Sequence, residues 1–290
     1  MISFIEKILK DSPGILPIST TDRLGFLKYS TAISGKGVGN KVIFFVFTDR
    51  NIIPVAIVKT VRSYRDAEVI RRSYGALQML NKLTKYSSFS AMFPQAILVY
   101  DDGHIIFNVE TMCIGNKVNS ERDMEKIIEA YFSFSKYIAM RTSDNIVLDI
   151  HYGVQLIKEL QGPRETIDGI IKYFTDLWGN VSLQLPRIPQ HGDLTTDNVL
   201  IDGDKIMFID CDTFGMINIP GFDVFHLVAR KQNNNWRNVL DAYYDQVNIQ
   251  CTFREKLLIM YLLHEIHIKK DYILFQKSLE TIISEFAALI

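Results

Sequence analysis

Apolar and polar positions follow two different periods along this chain, and the change of period divides it. Residues 2–10 place apolar side chains at helical spacing between charges, which predicts a short amphipathic helix ended near Pro13. From about Gly25 to Lys59 the pattern is that of strands and turns. KVIFFVF is β-rich, TDRN is a turn, and residues 54–59 form a further strand. Residues 66–83 switch period: Ile70, Leu77 and Leu80 mark one helical face. Residues 96–100 and 104–109 flank the turn Asp101-Asp102-Gly103 and predict a hairpin.

Gly115 ends that pattern, and the period beyond it is mostly helical. Helices are expected over 120–140, about 147–160 and about 165–178, the last with Thr166 near its start. Pro186 and Pro189 precede a β-rich island at 198–210, two apolar runs around the turn Asp202-Gly203-Asp204, and helices return from about 222. The plan is α+β. A mainly β part over residues 1–115 carries one long helix, and a mainly helical part over residues 116–290 carries one small hairpin.

Composition narrows the function classes without choosing one. The 290 residues are 48% hydrophobic and 22% charged, ordinary for a globular protein. The formal charge of -1 offers no net basic field to recruit nucleic acid or anionic lipid. Its distribution is uneven, +5 over residues 1–115 and -6 over the rest, which suits a polyanion in the first part and a cation in the second. The apolar runs at 42–47 and 257–263 are far shorter than the roughly twenty residues of a membrane span, and the N-terminus lacks the pattern of an export signal. A cytoplasmic protein that binds neither membrane nor nucleic acid is expected. Cys113, Cys211 and Cys251 lie far apart, which suits buried thiols rather than disulfides or a zinc knuckle.

The chemistry concentrates in residues 190–228, QHGDLTTDNVLIDGDKIMFIDCDTFGMINIPGFDVFHLV. Asn198 opens the first strand of the hairpin and Asp210 closes the second. In an antiparallel pair the two return to one end, and Asp193 lies in the loop leading into it. Hard oxygen donors of this kind suit Mg²⁺, which takes one or two carboxylates with phosphate oxygens and water. Asp193 is placed to orient a hydroxyl or accept its proton.

This segment resembles the catalytic core of the aminoglycoside phosphotransferase and choline kinase families, within the protein-kinase-like fold. HGDLTTDN is similar to their catalytic loop, Phe208-Ile209-Asp210 to the metal-binding strand end, and Gly221-Phe222-Asp223 to the downstream Gly-Phe-Asp of choline kinases. The resemblance implies a bilobal fold with the nucleotide between the lobes, Asp193 as catalytic base or hydroxyl-positioning group, and Asn198 and Asp210 as ligands of Mg²⁺ bridging nucleotide phosphates. It implies His191 as a support of the loop and Asp223 as its brace. Asp212 could start a degenerate Asp-Phe-Gly, but the spacing from Asn198 favours Asp210.

On the nucleotide side, residues 55–59 resemble the kinase strand whose lysine, here Lys59, neutralises phosphates. SGKGVGNK, with Gly35 and Gly37, supplies backbone able to approach phosphates, although it fits neither G-x-G-x-x-G nor a Walker A loop. Residues 108–115 resemble the hinge that meets an adenine edge, with Glu110 and Met112 at the contact positions. One departure stands out. The family helix carries a Glu that pairs with the strand lysine, and Ser73 occupies its place. Glu68 is the nearest upstream carboxylate, although five positions turn by about 140° on a helix. Either the helix register differs, or Lys59 is held differently, or activity is reduced; the expectation is that Glu68 substitutes for the missing partner.

Thr195 replaces the lysine that protein serine kinases carry two residues after the catalytic Asp, and no Ala-Pro-Glu follows Asp210. The expected function is therefore Mg²⁺-dependent transfer of the γ-phosphate of ATP or GTP to a hydroxyl of a small molecule of aminoglycoside, amino alcohol or sugar type. The alternatives are a nucleotide-binding pseudokinase scaffold and, less favoured, a protein kinase. Trp178, Trp236, Tyr243 and Tyr244 could form a cage for a quaternary amine, but core packing is the expected role. His264-Glu265-Ile266-His267 lacks the H-E-x-x-H spacing and is expected on a helix surface.

Overall fold

The computed structural model describes residues 1–11, 16, 18, 21–30, 41–159, 164–229 and 236–268. In chain order the elements are α1 (Ile2–Lys10), β1 (Leu24–Ser30), β2 (Lys41–Thr48), β3 (Ala56–Val61), α2 (Ala67–Thr84), β4 (Ala96–Asp101), β5 (Ile106–Thr111), β6 (Asn116–Lys117), α3 (Glu121–Ala139), β7 (Asn145–Leu148), α4 (Ile150–Lys158), α5 (Arg164–Trp178), β8 (Leu183–Pro186), β9 (Val199–Asp202), β10 (Lys205–Phe208), α6 (Phe222–Ala229), α7 (Trp236–Gln246) and α8 (Arg254–Ile268). They form two compact units. The first is Met1–Met124 with Thr196–Phe214, and the second is Glu125–Thr195 with Gly215–Ile290.

In the first unit a five-stranded antiparallel sheet runs β1-β2-β3-β5-β4. Strand side chains alternate between faces, and the sequence assigns the two faces different tasks. Val42, Phe44 and Val46 of β2, Ala56 and Val58 of β3, and Phe107 and Val109 of β5 are buried with Ile5 and Leu9 of α1. The short N-terminal helix thus uses its apolar stripe to cover that face. Alternate residues, including Lys41, Lys59, Asn108 and Glu110, lie on the other face by register. There α2 packs, its Ile70 and Ala67 joining Val61 and Ile106 in a smaller core.

The β9–β10 hairpin belongs to the first unit, not to the helical part expected from residue 116 onward. β6 is the reason: Asn116 pairs with Ile201 and Lys117 with Leu200, extending the hairpin to three strands. Gly115 permits this approach, because a Cβ there would stand 2.9 Å from the Ile201 carbonyl oxygen.

The second unit is mainly helical. Tyr131, Phe134, Trp178, Phe222, Tyr243, Tyr244 and Tyr261 are fully buried within it. α8 buries every residue from Leu257 to Leu263, as an all-round apolar helix must. No helix among the described residues is long and apolar enough to cross a membrane. Two expectations change here. A strand, β7, precedes α4 and pairs with β8, which follows α5, with Asn145 opposite Pro186. Its four-residue strands are too short to announce themselves by alternation, and Val147, read as helix, is in β7. His264 is not on a helix surface: it is buried, 3.1 Å from the Tyr152 hydroxyl.

Candidate active site

In the first unit, three strands, one helix and the end of the hairpin contribute to one charged cluster. Lys59 pairs in register with Asn108 of β5, and Ile57 with Glu110. Glu110 is therefore the diagonal neighbour of Lys59 on the same sheet face, within reach of two long side chains. The Lys59 ammonium is 3.1 Å from Glu110 Oε1, 3.1 Å from Asp212 Oδ1 and 3.8 Å from Asp210 Oδ1. It is only 4% exposed. Burial opposes its charge, but Glu110, Asp212 and Asp210 outweigh that cost and raise its pKa well above 10.5. Lys41, at the start of β2, pairs with Asp212 Oδ2 and lies 3.5 Å from Asp210 Oδ1.

Asp212 and Asp210 take different parts. Asp212 is largely shielded, its side chain 14% exposed, and its two oxygens are engaged: Oδ1 accepts from Lys59 and from the Ser73 hydroxyl at 2.6 Å, and Oδ2 faces Lys41. Burial pushes its carboxyl up, yet the two lysines overcome that and hold it well below its ordinary value. Asp210 keeps a side chain 45% exposed. It adopts the left-handed conformation, φ 59° and ψ 49°, at the end of β10. For a residue with a Cβ this costs about 1–3 kcal/mol, strain that is tolerated where the surroundings fix it.

Asn198 ends the short 3-10 turn at Thr196–Asn198, just before β9. Its carbonyl accepts from the Ile209 amide at 2.9 Å, and Val199 pairs with Phe208. The hairpin thus brings Asn198 and Asp210 to the same end. An amide oxygen and a half-exposed carboxylate are a donor set that fits Mg²⁺, which completes its shell with phosphate and water.

Two expected positions, Glu110 and Glu68, fall differently. Glu110 is not in a connector: it lies inside β5, between Ile57 of β3 and Ala96 of β4, with its carboxylate on Lys59. Met112 follows β5 in the irregular segment before Gly115 and is half-buried. Gly35 and Gly37 lie outside the described residues. Glu68 does not substitute for the helix carboxylate. Its side chain is 80% exposed and 3.4 Å from Arg71, on a part of α2 turned away from Lys59. Ser73 does face the cluster, but its hydroxyl serves Asp212, with Asn108 Nδ2 3.3 Å away. The sequence reading overlooked Lys41. Its alternation with Val42, Phe44 and Val46, which fill the opposite face, was the signal that could have found it.

In the second unit, the loop at 190–194 is fixed from beneath. Asp223, fully buried in the first turn of α6, accepts from the His191 amide at 2.5 Å, from the Gly192 amide at 2.9 Å, and from the Tyr131 hydroxyl. Its own amide donates to Gln190 Oε1 at 3.2 Å. His226 Nδ1 lies 3.2 Å from the Leu194 carbonyl oxygen. Burial and Asp223 raise the pKa of the Tyr131 phenol well above 10, so it remains a donor. The loop buries His191, Gly192 and Leu194 and exposes Asp193. A carboxylate on a rigid, exposed tip can meet a substrate hydroxyl without a search. Trp178, Tyr243 and Tyr244 are buried and Trp236 is half-buried, so these aromatics serve the core.

Residues 151–254, which include this loop, the hairpin and Asp223, match the model of the phosphotransferase enzyme family. No curated protein sequence matches the chain. The chain is similar in structure to the aminoglycoside phosphotransferase APH(3'')-Id from Streptomyces rimosus, solved with ADP and streptomycin. The TM-score is 0.56 at 12% identity, over 92% of this chain and 98% of that one. It is also similar to a candidate fructosamine-3-kinase from Thermobifida fusca, with a TM-score of 0.59 at 14% identity over 93% and 94% of the two chains. An amicoumacin kinase in complex with AMP-PNP, Ca²⁺ and Ami gives 0.55 at 12% identity over 99% and 94%. The matched segment covers about a third of the chain, and the fold of the whole chain is similar to that of these solved structures.

Proposed function

We propose that this protein transfers the γ-phosphate of ATP or GTP to a hydroxyl of a small molecule, with Mg²⁺. The observation that carries the proposal is the buried Lys59, braced by carboxylates on the strand face toward which the hairpin end delivers Asp212 and Asp210. Lys59 provides a fixed positive charge for nucleotide phosphates. Asn198 and Asp210 would hold the metal, which neutralises charge on the phosphates when bound. Met112 is the proposed backbone contact to the base. Gly35 and Gly37 are the proposed approach of backbone to phosphate.

Asp193 orients the acceptor hydroxyl and takes its proton. The acceptor oxygen forms the new bond to the γ-phosphorus while the bond to the β–γ bridging oxygen breaks. The products are a nucleoside diphosphate and a phosphomonoester, and the proton passes from Asp193 to solvent. Catalysis of this kind is positioning plus electrostatics, which fits a loop anchored by two backbone amides to one buried carboxylate that Tyr131 also holds. The relatives solved with ADP and streptomycin and with AMP-PNP support a nucleotide and a small-molecule acceptor.

The test is a thermal shift with ATP or GTP, each with and without Mg²⁺. A ligand that binds only the folded state raises the midpoint by mass action. A magnesium-dependent rise, absent in Asp210→Ala, is expected, followed by a screen of aminoglycosides, amino alcohols and sugars for phosphorylated product. No rise with either nucleotide overturns the proposal.

A further inference from the structure

Helix α2 gives Lys59 no carboxylate. It presents Ser73 to the cluster and leaves Glu68 in solvent, paired with Arg71. A buried ammonium must nevertheless be compensated, since an unpaired charge in the interior is prohibitively costly. Glu110 meets that need from inside the sheet. Its carboxylate is as buried as the lysine, and its strand is flanked by β3 and β4. Within the cluster, burial pushes the Glu110 carboxyl upward while Lys59 opposes the shift.

We propose that Glu110 of β5 is the residue that positions Lys59, so that the lysine is aimed by the sheet and not by the helix packed over it. The ammonium has three N–H directions. Glu110 and Asp212, each at 3.1 Å, take two of them. A carboxylate on α2 would tie the aim of the lysine to the placement of that helix. One on β5 cannot move without breaking strand pairs on both sides. Ser73 then has a different task, a hydrogen bond that steadies Asp212. The purpose of Lys59 rests on the phosphotransferase reading, but the pairing does not.

Competitive acetylation tests the pairing in the ligand-free protein. Wild type, Glu110→Gln and Glu68→Gln are exposed to trace acetic anhydride. Incorporation at Lys59 is then measured by mass spectrometry against the exposed Lys7 and Lys136. Loss of the Glu110 carboxylate releases the tether that holds the ammonium against β5. Lys59 labelling is expected to rise severalfold in Glu110→Gln, because the ammonium loses one of the two carboxylates that hold it at 3.1 Å. Glu68→Gln should match wild type. Lys256, whose ammonium is held by the Leu177 and Trp178 carbonyls, reports general loosening and should not change.

Unchanged Lys59 labelling in Glu110→Gln, or an equal rise in Glu68→Gln, overturns the inference. A rise shared by Lys256 does so as well, since the effect would then be loss of structure. The nucleotide thermal shift is measured on the same wild-type sample. Its failure removes the phosphotransferase reading and leaves the labelling result to decide Glu110 independently.

Discussion

Replacing Asp223 tests how the loop at 190–194 is held. The carboxylate accepts two backbone amides and one phenol in a fully buried place. Asp223→Ala leaves all three donors without that acceptor. Each buried donor so stranded costs about 1–3 kcal/mol, so a loss of about 4–6 kcal/mol is expected after partial relaxation. That approaches the whole stability of a marginal fold, about 5–15 kcal/mol. Asp223→Asn keeps one acceptor oxygen and turns an NH₂ toward at least one donor, which should cost about 1–3 kcal/mol. Tyr131→Phe removes a single donor and leaves both amides bonded, for about 1 kcal/mol.

Urea unfolding followed by tryptophan fluorescence reads this series directly. Both tryptophans, the buried Trp178 and the half-buried Trp236, lie in the same unit as Asp223. The expected order of destabilisation is Ala, then Asn, then the Tyr131 variant. Asp223→Ala within about 1 kcal/mol of wild type would refute the reasoning, because no set of three buried donors loses its acceptor so cheaply. An Asn variant less stable than the Ala variant would refute it too.

Asp193→Asn should keep the magnesium-dependent nucleotide shift and lower phosphoryl transfer by about a hundredfold or more, the scale of general-base assistance; full turnover would remove Asp193 from its role. Asp212→Asn should change the acid side of the stability profile. The folded-state pKa of Asp212 lies below its ordinary 3.8, so its contribution is complete above that value and is lost as pH falls through the folded value. The difference in melting temperature between wild type and this variant should be constant above about pH 5 and shrink toward pH 2. A gap that widens on acidification would contradict the assignment. Gly115→Ala should cost about 1–3 kcal/mol by overpacking, since its Cβ meets the Ile201 backbone at 2.9 Å; a urea midpoint equal to wild type would show that β6 yields.

What could be read from the sequence was what periodicity and local spacing encode. The strands and α2 emerged because apolar residues repeat on one face. The meeting of Asn198 with Asp210 emerged because a tight hairpin fixes its own ends. Long-range pairing carried the rest. That Glu110 would reach Lys59 depends on β5 lying beside β3, and 51 positions separate the two residues. Read locally, Asn108 and Glu110 looked like the approach to a connector. Given the register, the same alternation puts both on the lysine face.

The assignment of Asp210 and Asp212 shows what geometry adds to spacing. Spacing from Asn198 favoured Asp210 without saying what the second carboxylate does. Asp212, saturated by Lys59, Lys41 and Ser73, has its oxygens committed to the protein. Asp210 is half-exposed, strained, and no nearer than 3.5 Å to either lysine. A ligand for an exchangeable cation must be able to give up its contacts, and of the two only Asp210 holds weak ones. On the proposed function the two acidic side chains divide the labour: Asp212 helps to balance the charge of the lysine that Glu110 aims, and Asp210 is the carboxylate available to the proposed metal.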